Sequence, residues 1–373
     1  MAEYQLFKQN RMIAELSSFA AQLRERIAVF TVTEDEFNAR ALELFRLQFT
    51  HNAVYRPLCE VRGVKAESVA HWSRIPAVPA VAFKELELTS IPPGERTAVF
   101  HSSGTTAQKP SRHFHGAESL AVYEASLWAW FEPQVLRALV KRDFHLVFLT
   151  PPPSAAPNSS LVHMFETARL KSRASCAAFF SDVDSAGGWV LDIGAVERAL
   201  REAIAEDVPV VVLGTAFNFV HLLDGFNAQD MRLKLPPGSV VMETGGYKGR
   251  SRELSKAELH QFIGEGLGLP ASQIICEYGM SEMSSQAYDD AARIFHFPPW
   301  ARVQIVSPET GREVGDGEIG LVRIFDLANV FSVLAVQTED LAIRRGDGFE
   351  LLGRAPAAEP RGCSLMATSL PGA

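Results

Sequence analysis

The sequence feature that most constrains the fold is a set of short apolar segments that alternate with helical segments in the middle of the chain. Residues 208–213 consist almost entirely of Val and Leu, and residues 144–149 and 239–242 are similar. Segments with apolar residues at helical spacing lie around and between them, at 118–139, 161–170, 196–205 and 217–223. Strands that are apolar on both sides need cover on both faces of their sheet. The sequence therefore predicts an α/β fold with a largely parallel sheet.

The character of the sequence changes along the chain and predicts four regions. Residues 1–95 are mainly helical by periodicity, and residues 96–296 form the α/β core. Residues 297–354 carry short apolar runs separated by turn sequences, which predicts a β-rich subdomain. Residues 355–373 are rich in Ala, Pro and Gly and are predicted to form a tail.

Charge and cysteine content exclude several classes of protein. With 36 Lys and Arg against 44 Asp and Glu, the 373-residue chain has a net charge of −8, so no nucleic-acid partner is expected. No apolar run approaches the ~18 residues of a membrane span, and the first residues lack the pattern of a signal peptide. The four cysteines are far apart and predict neither a disulfide framework nor a zinc site. These features predict a cytoplasmic protein with reduced thiols.

A loop rich in Ser, Thr and Gly is the first candidate site. A strand predicted at 97–100 and His101 are followed by four hydroxyl residues around a glycine: Ser102, Ser103, Gly104, Thr105 and Thr106. The backbone N–H groups of a glycine turn, the hydroxyls and the nearby charge of Lys109 suit a polyphosphate. The spacing is not that of a Walker loop, and a plain surface loop is the alternative interpretation. We predict that this loop joins a strand to a helix that begins near Glu118.

Paired glycines mark a second candidate site. Residues 243–249, E-T-G-G-Y-K-G, directly follow a predicted strand. Gly245 and Gly246 would let a flat ring lie on the backbone, and Lys248 stands two residues later. An ordinary turn after a strand is the alternative interpretation.

A third stretch, residues 277–282, has the sequence E-Y-G-M-S-E. Tyr278 can stack on a base, Ser281 can bond a phosphate, and Glu282 can hold Mg²⁺ as a hard oxygen ligand. Further along, Asp340 can accept both hydroxyls of a ribose, and Arg354 can meet ribose or phosphate oxygens. Taken alone, each of these residues is an ordinary strand-end or turn residue.

Taken together and in this order, the motifs resemble the adenylate-forming (acyl-activating) superfamily. Within it, the chain is similar to the acyl-protein synthetases of the bacterial luminescence fatty acid reductase system. The closer resemblance rests on residues 102–113 (S-S-G-T-T-x-x-x-P-S-R-H), 243–253 (E-T-G-G-Y-K-G-R-S-R-E), 326–329 (D-L-A-N) and 361–364 (R-G-C-S). It extends from about residue 72 to residue 365. It implies the large N-terminal domain of the adenylate-forming fold, without the usual small C-terminal domain.

The resemblance implies a two-step reaction that uses ATP and Mg²⁺. A carboxylic acid, with fatty acids as the first candidates, is activated as an acyl-adenylate. The acyl group then passes to Cys363 as a thioester and onward to an acyl-reductase partner. For the phosphates, the resemblance implies the loop residues 102–106 with Lys109, and Ser281 at the α-phosphate. Gly245, Gly246 and Tyr278 would sandwich adenine, and Gly279 is implied to bind the nucleotide. Asp340 would bind ribose, Arg354 would assist at ribose or phosphate, and Glu282 would ligate Mg²⁺.

The implied acyl acceptor is Cys363. A thiolate accepts acyl groups well, and Arg361 would lower the pKa of this thiol. Read without the resemblance, Cys363 is an incidental thiol in a tail. The other three cysteines are predicted to pack as small hydrophobes in apolar surroundings: Cys59, Cys176 and Cys276.

Two departures from the superfamily pattern keep other interpretations open. Ala107 stands where most acyl-activating enzymes have glycine. The C-terminal domain that usually carries the adenylation lysine is expected to be missing, and Lys248 is a candidate substitute. An acyl- or aryl-CoA ligase and a catalytically degraded nucleotide-binding subunit are the alternatives. Without that domain CoA has no obvious site, which favours an internal cysteine acceptor.

Overall fold

Helices pack against a long mixed sheet in the computed structural model of the chain, which describes residues 2–29, 32–102, 109–139, 142–246 and 253–355. The α-helices are α1 (Ala2–Val29), α2 (Glu34–His51), α3 (Tyr55–Val61), α4 (Ala82–Glu85), α5 (Ala117–Val135), α6 (Ser160–Lys171), α7 (Ile193–Ala205), α8 (Ala216–Asn227) and α9 (Lys256–Leu267). Within these ranges, none of the helices combines the length and the apolar character that crossing a membrane requires.

The strands follow in chain order. They are β1 (Val78–Pro79), β2 (Ala98–His101), β3 (Arg112–His115), β4 (His145–Phe148), β5 (Cys176–Phe179), β6 (Ser181–Val183), β7 (Trp189–Leu191), β8 (Val210–Thr215), β9 (Val240–Thr244), β10 (Ile274–Tyr278), β11 (Ala287–Asp289), β12 (Phe295–His296), β13 (Ala301–Val306), β14 (Ile319–Asp326), β15 (Ala335–Arg345) and β16 (Gly348–Arg354).

The main sheet has a parallel half and an antiparallel half. Strands β5, β4, β8, β9 and β10 lie side by side and run parallel. From β10 the sheet continues antiparallel through β11, β12, β16, β15 and β14 to β13. β1 adds to β15 in parallel. The predicted α/β fold with a β-rich part is confirmed.

The residues of β8 show why the parallel half needs helices on both faces. Val210 and Val212 face one core cluster, together with residues of α7, α8 and α9. Val211 and Leu213 face another cluster, together with residues of α5 and α6. All six residues of the strand are buried, so its apolar character reflects two covered faces.

The N-terminal helices share a core with the antiparallel half of the sheet. A single cluster of buried side chains contains Phe37 and Phe45 of α2, Ile324 and Phe325 of β14, and Val336 of β15. The division of the chain into four regions, with boundaries at 95, 296 and 354, stays a prediction.

Two local predictions are wrong. The helix predicted to begin near Glu118 does begin at Ala117, but the Ser/Thr-rich loop does not lead straight into it, because the loop is followed by β3, which pairs antiparallel with β2. β3 has the sequence R-H-F-H, in which His113 and His115 are the buried positions. Because histidines stand where a strand usually has apolar residues, the sequence does not show the alternation typical of a strand. Asp340, which taken alone is interpreted as a strand-end or turn residue, lies inside the 11-residue strand β15.

Candidate active site

Two neighbouring parallel strands bring the glycine pair beside Tyr278. β9 ends at Thr244 and β10 at Tyr278, and Thr244 is in register with Glu277. Gly245 has φ +68°, a left-handed conformation that favours glycine. Apart from each glycine and its two chain neighbours, no heavy atom of the described residues lies within 4 Å of where a Cβ would stand at Gly245 or Gly246. Ligands bind at the carboxyl ends of such strands, and this edge leaves room for one.

Tyr278, Asp340 and Arg354 form one group. The Tyr278 hydroxyl donates to Asp340 Oδ2 at 2.7 Å, and Arg354 Nε lies 3.8 Å from Asp340 Oδ1. Burial raises the pKa of Asp340 and outweighs the hydrogen bond from Tyr278 and the charge of Arg354, which lower it. The Tyr278 ring packs edge-on among three phenylalanines, Phe295, Phe297 and Phe349. The antiparallel pairing of β15 with β16, which sets Asp340 opposite Arg354, assembles this group.

Ser281 and Glu282 lie in the connection that follows Tyr278. Both are buried, at 8% and 5% exposure. The Ser281 carbonyl lies 2.9 Å from His113 Nδ1, and the Glu282 carbonyl accepts from Asn329 Nδ2 at 2.9 Å. Burial raises the pKa of the Glu282 carboxyl, and the charge of Arg354 opposes that rise. The charge of Arg354 therefore acts on Glu282 as well as on Asp340. Gly279, also predicted to bind nucleotide, stands in this connection, where a Cβ would meet the Glu277 carboxylate.

The described ends of the predicted phosphate loop lie side by side. Ser102 Oγ accepts from the Ser111 backbone N–H at 3.0 Å. Lys109 pairs with Glu85 at 3.0 Å, and the two side chains are 51% and 69% exposed. An exposed ion pair of this kind contributes only ~0–1 kcal/mol. Lys109 can therefore exchange Glu85 for a phosphate at little cost.

Several predicted site residues lie outside the described residues. They are Ser103, Gly104, Thr105 and Thr106 of the loop, the candidate lysine Lys248, and the candidate nucleophile Cys363 with its neighbour Arg361. Their roles stay predictions.

Sequence reasoning missed an ion pair beneath the glycine turn. Lys256 Nζ lies 2.7 Å from Glu243 Oε1, and His260 Nε2 lies 3.0 Å from the same oxygen. Burial alone would raise the pKa of Glu243, but Lys256 and the hydrogen bond with His260 outweigh it and hold the pKa at about 2. The sequence feature that could have revealed this ion pair is the glutamate that follows the apolar residues of β9.

The prediction for the three cysteines holds for Cys59 and Cys276, which are both buried in the core, and is wrong for Cys176. Cys276 is in register with Glu243, so its thiol shares that face of the sheet and accepts from Lys256 Nζ at 3.2 Å. Burial, followed by the negative charge of Glu243, raises the pKa of the Cys276 thiol. Cys176 begins the edge strand β5 and is exposed.

A second set of unpredicted polar groups lies between the sheet and α5. Glu277 is in register with Tyr288 on β11, and Thr244 donates to the Glu277 carboxylate. The His115 ring lies 5.9 Å from the ring of Tyr123 on α5. The buried Tyr288 hydroxyl and both His115 ring nitrogens find no hydrogen-bond partner in the described part of the chain. Burial raises the pKa of Glu277 to about 7 and lowers that of His115. The carboxyl ends of the strands therefore adjoin buried polar groups whose pKa values burial shifts toward the uncharged form.

This geometry agrees with the family comparison. The family model described as "Acyl-protein synthetase, LuxE" matches residues 28–370. The chain belongs to this family. Membership confirms the prediction of an ATP-dependent, adenylate-forming ligase that activates an acyl group.

Relatives within the LuxE family align over most of their length. The long-chain-fatty-acid–luciferin-component ligase of Aliivibrio fischeri is 22% identical over 383 residues, covering 96% of this chain and 95% of the relative. The ligase of the same name from Vibrio harveyi is 22% identical over 331 residues, covering 86% and 84%. The chain therefore spans nearly the whole of these two relatives.

Solved structures show the same fold at low sequence identity. 2-Hydroxyisobutyryl-CoA ligase in its postadenylation state, with 2-HIB-AMP, superposes with a TM-score of 0.64 at 14% identity, covering 86% of this chain and 67% of that one. An open conformation of that ligase, with 2-HIB-AMP and CoA, also gives 0.64, with 86% and 69% coverage. The predicted adenylate-forming fold is thereby confirmed.

Proposed function

We propose that this LuxE-family protein activates a fatty or other carboxylic acid as an acyl-adenylate and then carries the acyl group on Cys363 for delivery to an acyl-reductase partner. In the first step a carboxylate oxygen attacks the α-phosphorus of ATP, the bond to the β-phosphate oxygen breaks, and pyrophosphate leaves. In the second step the Cys363 thiolate attacks the acyl carbonyl, and AMP leaves. The convergence of Tyr278, Asp340, Arg354 and Glu282 beside an open glycine turn carries this proposal.

The nucleotide would lie across the ends of β9 and β10. Gly245 and Gly246 supply an uncovered backbone for the adenine, and Tyr278 borders it. Asp340 already accepts one hydrogen bond from Tyr278 and keeps a second carboxylate oxygen for a ribose hydroxyl. Arg354 is 81% exposed beside it and is free to turn toward an anion.

The chemistry of Glu282 fits a magnesium ion. Its carboxylate is a hard oxygen donor and is nearly buried, and the charges of Arg354 and Lys84 oppose the rise in its pKa that burial causes. No group of three or more His, Cys, Asp or Glu side chains in the described ranges is arranged to hold a metal alone. Mg²⁺ typically takes one or two carboxylates together with substrate phosphates. When bound, it would neutralise charge on the phosphate oxygens.

The phosphates would be held by the loop of residues 102–106 with Lys109, and by Ser281. Lys248, close in sequence to the glycine turn, is proposed to stabilise the charge that develops at the α-phosphate. The polar groups around Glu277 and Tyr288 border the same edge of the sheet. We propose that the carboxyl end of the acid binds beside them.

The decisive experiment is the mass of the intact protein after incubation with ATP, Mg²⁺ and a panel of fatty acids. We expect a hydroxylamine-labile acyl adduct on the wild type and none on Cys363→Ala. Cys176→Ala is the matched control, because it removes an exposed thiol that the proposal does not use. Lys248→Ala should slow pyrophosphate release by about 10²-fold or more without a comparable loss of ATP binding.

Other outcomes would contradict parts of the proposal. Pyrophosphate release without a protein adduct would move the acceptor to CoA or another molecule. An adduct that persists in Cys363→Ala would exclude this residue as the carrier. ATP binding with neither adduct nor pyrophosphate would indicate a degraded nucleotide-binding subunit.

A further inference from the structure

The segment that carries Glu282 is held mainly by side chains from distant parts of the chain. Residues 279–286 connect β10 to β11 and belong to neither a helix nor a strand. Buried backbone groups in such a segment need hydrogen-bond partners from elsewhere in the molecule. Asp326, the last residue of β14, and Asn329, in the turn that follows, supply several of them.

Asn329 uses its whole side-chain amide for this purpose. Its Nδ2 donates to the carbonyls of Glu282 at 2.9 Å and Val333 at 3.2 Å. Its Oδ1 accepts from Ser284 Oγ at 2.7 Å. The two carbonyls need the N–H donors of the amide, and the Ser284 hydroxyl needs its oxygen as acceptor. Only one orientation of the Asn329 amide therefore satisfies all three groups. Asn329 is 1% exposed, so these hydrogen bonds are shielded from bulk solvent.

Asp326 holds the next residues of the same segment. Its Oδ2 accepts from the Ser284 backbone N–H at 3.0 Å, and its Oδ1 accepts from Ser285 Oγ at 2.7 Å. The Ala328 backbone N–H also donates to Oδ1, at 2.9 Å. The fully buried carboxyl therefore ties its own turn to the Glu282 segment.

The turn itself is anchored from behind by α2. Gln48 Nε2 donates to the Asn329 carbonyl at 2.8 Å, and Gln48 Oε1 accepts from the Leu334 backbone N–H at 2.8 Å. On the other side, Ser285 Oγ lies 2.9 Å from Ser126 Oγ of α5. The Glu282 segment is thus fixed to β14, α2 and α5 through buried hydrogen bonds.

We propose that Asp326 and Asn329 are positioning residues, which fix the backbone of residues 282–285 so that the Glu282 carboxylate faces the metal–nucleotide complex. The inference rests on the proposed function, in which Glu282 holds Mg²⁺. A ligand on an irregular segment keeps its geometry only if the neighbouring groups fix it, and loss of such groups weakens metal binding.

The test is Asn329→Asp, which keeps the side-chain shape but sets an oxygen against the carbonyls of Glu282 and Val333. Binding of Mn²⁺, a paramagnetic substitute for Mg²⁺, is followed by electron paramagnetic resonance with α,β-methylene-ATP, which cannot release pyrophosphate. We expect the Mn²⁺ dissociation constant to rise about 10-fold or more. Binding of the analogue without metal should change less than about 2-fold, because Asn329 contacts none of the proposed nucleotide residues. Hydrogen exchange in residues 281–285 should accelerate.

A milder variant covers the case in which Asn329→Asp fails to fold. Ser284→Ala removes one hydrogen bond to Asn329 and should raise the Mn²⁺ dissociation constant about 3- to 5-fold. Leu200→Ala is the stability control: it opens a cavity in the core beside α7 and should leave Mn²⁺ binding as in the wild type.

Glu282→Gln distinguishes a failure of the positioning role of Asp326 and Asn329 from a failure of the metal role of Glu282. If this variant weakens Mn²⁺ binding while folded Asn329→Asp and Ser284→Ala do not, the positioning role is wrong and the metal role of Glu282 stands. If Glu282→Gln also binds Mn²⁺ normally, the proposed role of Glu282 fails, and the positioning role fails with it. Equal losses of metal-free and metal-dependent nucleotide binding in Asn329→Asp would indicate a general structural role and overturn the inference.

Discussion

At the scale of single residues, Glu243 is a fully buried carboxylate that is stabilised by a neighbouring cation. Its side chain is fully buried, whereas the side chain of its partner Lys256 is 45% exposed. Removal of one partner of a buried pair leaves an uncompensated charge, which typically costs 3–5 kcal/mol. Partial exposure of Lys256 lets water approach the pair and reduces that cost.

We therefore predict that Lys256→Met lowers the free energy of unfolding by about 2–4 kcal/mol at pH 7. The loss should depend on pH with a definite sign. Glu243 has a folded pKa of about 2 against an ordinary 4.5, so its stabilising effect is present above pH 4.5 and is lost as the pH falls toward 2. The difference between wild type and variant should accordingly shrink in acid. Urea unfolding at pH values from neutral to about 3 measures it.

The control for this prediction is the double variant Glu243→Gln with Lys256→Met. It removes both charges and should recover most of the lost stability at pH 7. A double variant as unstable as Lys256→Met alone would mean that packing of the lysine stem, rather than an unpaired carboxylate, explains the loss.

At the scale of elements, α9 shows how a local sequence motif places this ion pair. Ser255 Oγ accepts from the Glu258 backbone N–H at 3.3 Å, and Glu258 Oε2 accepts from the Ser255 backbone N–H at 2.7 Å. This reciprocal capping box fixes the first turn of α9. Lys256 and His260, which meet Glu243, stand in the first two turns of the same helix.

We predict that Ser255→Ala lowers the free energy of unfolding by about 1 kcal/mol, because the first turn loses its side-chain cap. Ser255→Asp is the matched control, since aspartate caps equally well and should retain most of the stability. Thermal unfolding of the two variants beside the wild type measures the effect. A Ser255→Asp variant as unstable as Ser255→Ala would contradict the capping explanation.

The elements also show how far the sequence predicts the fold. Strands buried on both faces, such as β8, are evident because every residue is apolar. β3 and β15 are not, because β3 buries histidines and β15 mixes buried residues with half-exposed polar ones. In both strands, pairing with neighbouring strands overrides the local pattern.

The candidate site is predictable where its residues lie in short motifs and unpredictable where tertiary contacts assemble it. Tyr278, Glu282 and Asp340 are recognisable by residue type and order. The contact of Gln48 with Asn329 joins residues 281 positions apart, and no local pattern encodes that distance. The same holds for His113, whose ring nitrogen meets the Ser281 carbonyl across 168 positions.

At the scale of the whole molecule, the N-terminal helices and the antiparallel half of the sheet behave as one packing unit. Trp72 lies edge-on to Phe325 of β14, with ring centroids 4.9 Å apart, and its indole N–H donates to Glu34 of α2 at 2.7 Å. Glu34 also pairs with Arg302 of β13 at 3.0 Å. Because α2 and the sheet share these contacts, a loss of packing in α2 should also destabilise the antiparallel half of the sheet.

We predict that Phe45→Ala lowers the free energy of unfolding by about 3–5 kcal/mol, since Phe45 has no exposed surface and its loss opens a cavity in the shared core. Hydrogen exchange should show the loss equally in peptides from α2 and from β14, because one cooperative unit opens as a whole. A loss confined to α2 would mean that the N-terminal helices unfold separately from the sheet. In that case Gln48 could not anchor the Asn329 turn firmly, and the Glu282 segment would depend on β14 and α5 alone.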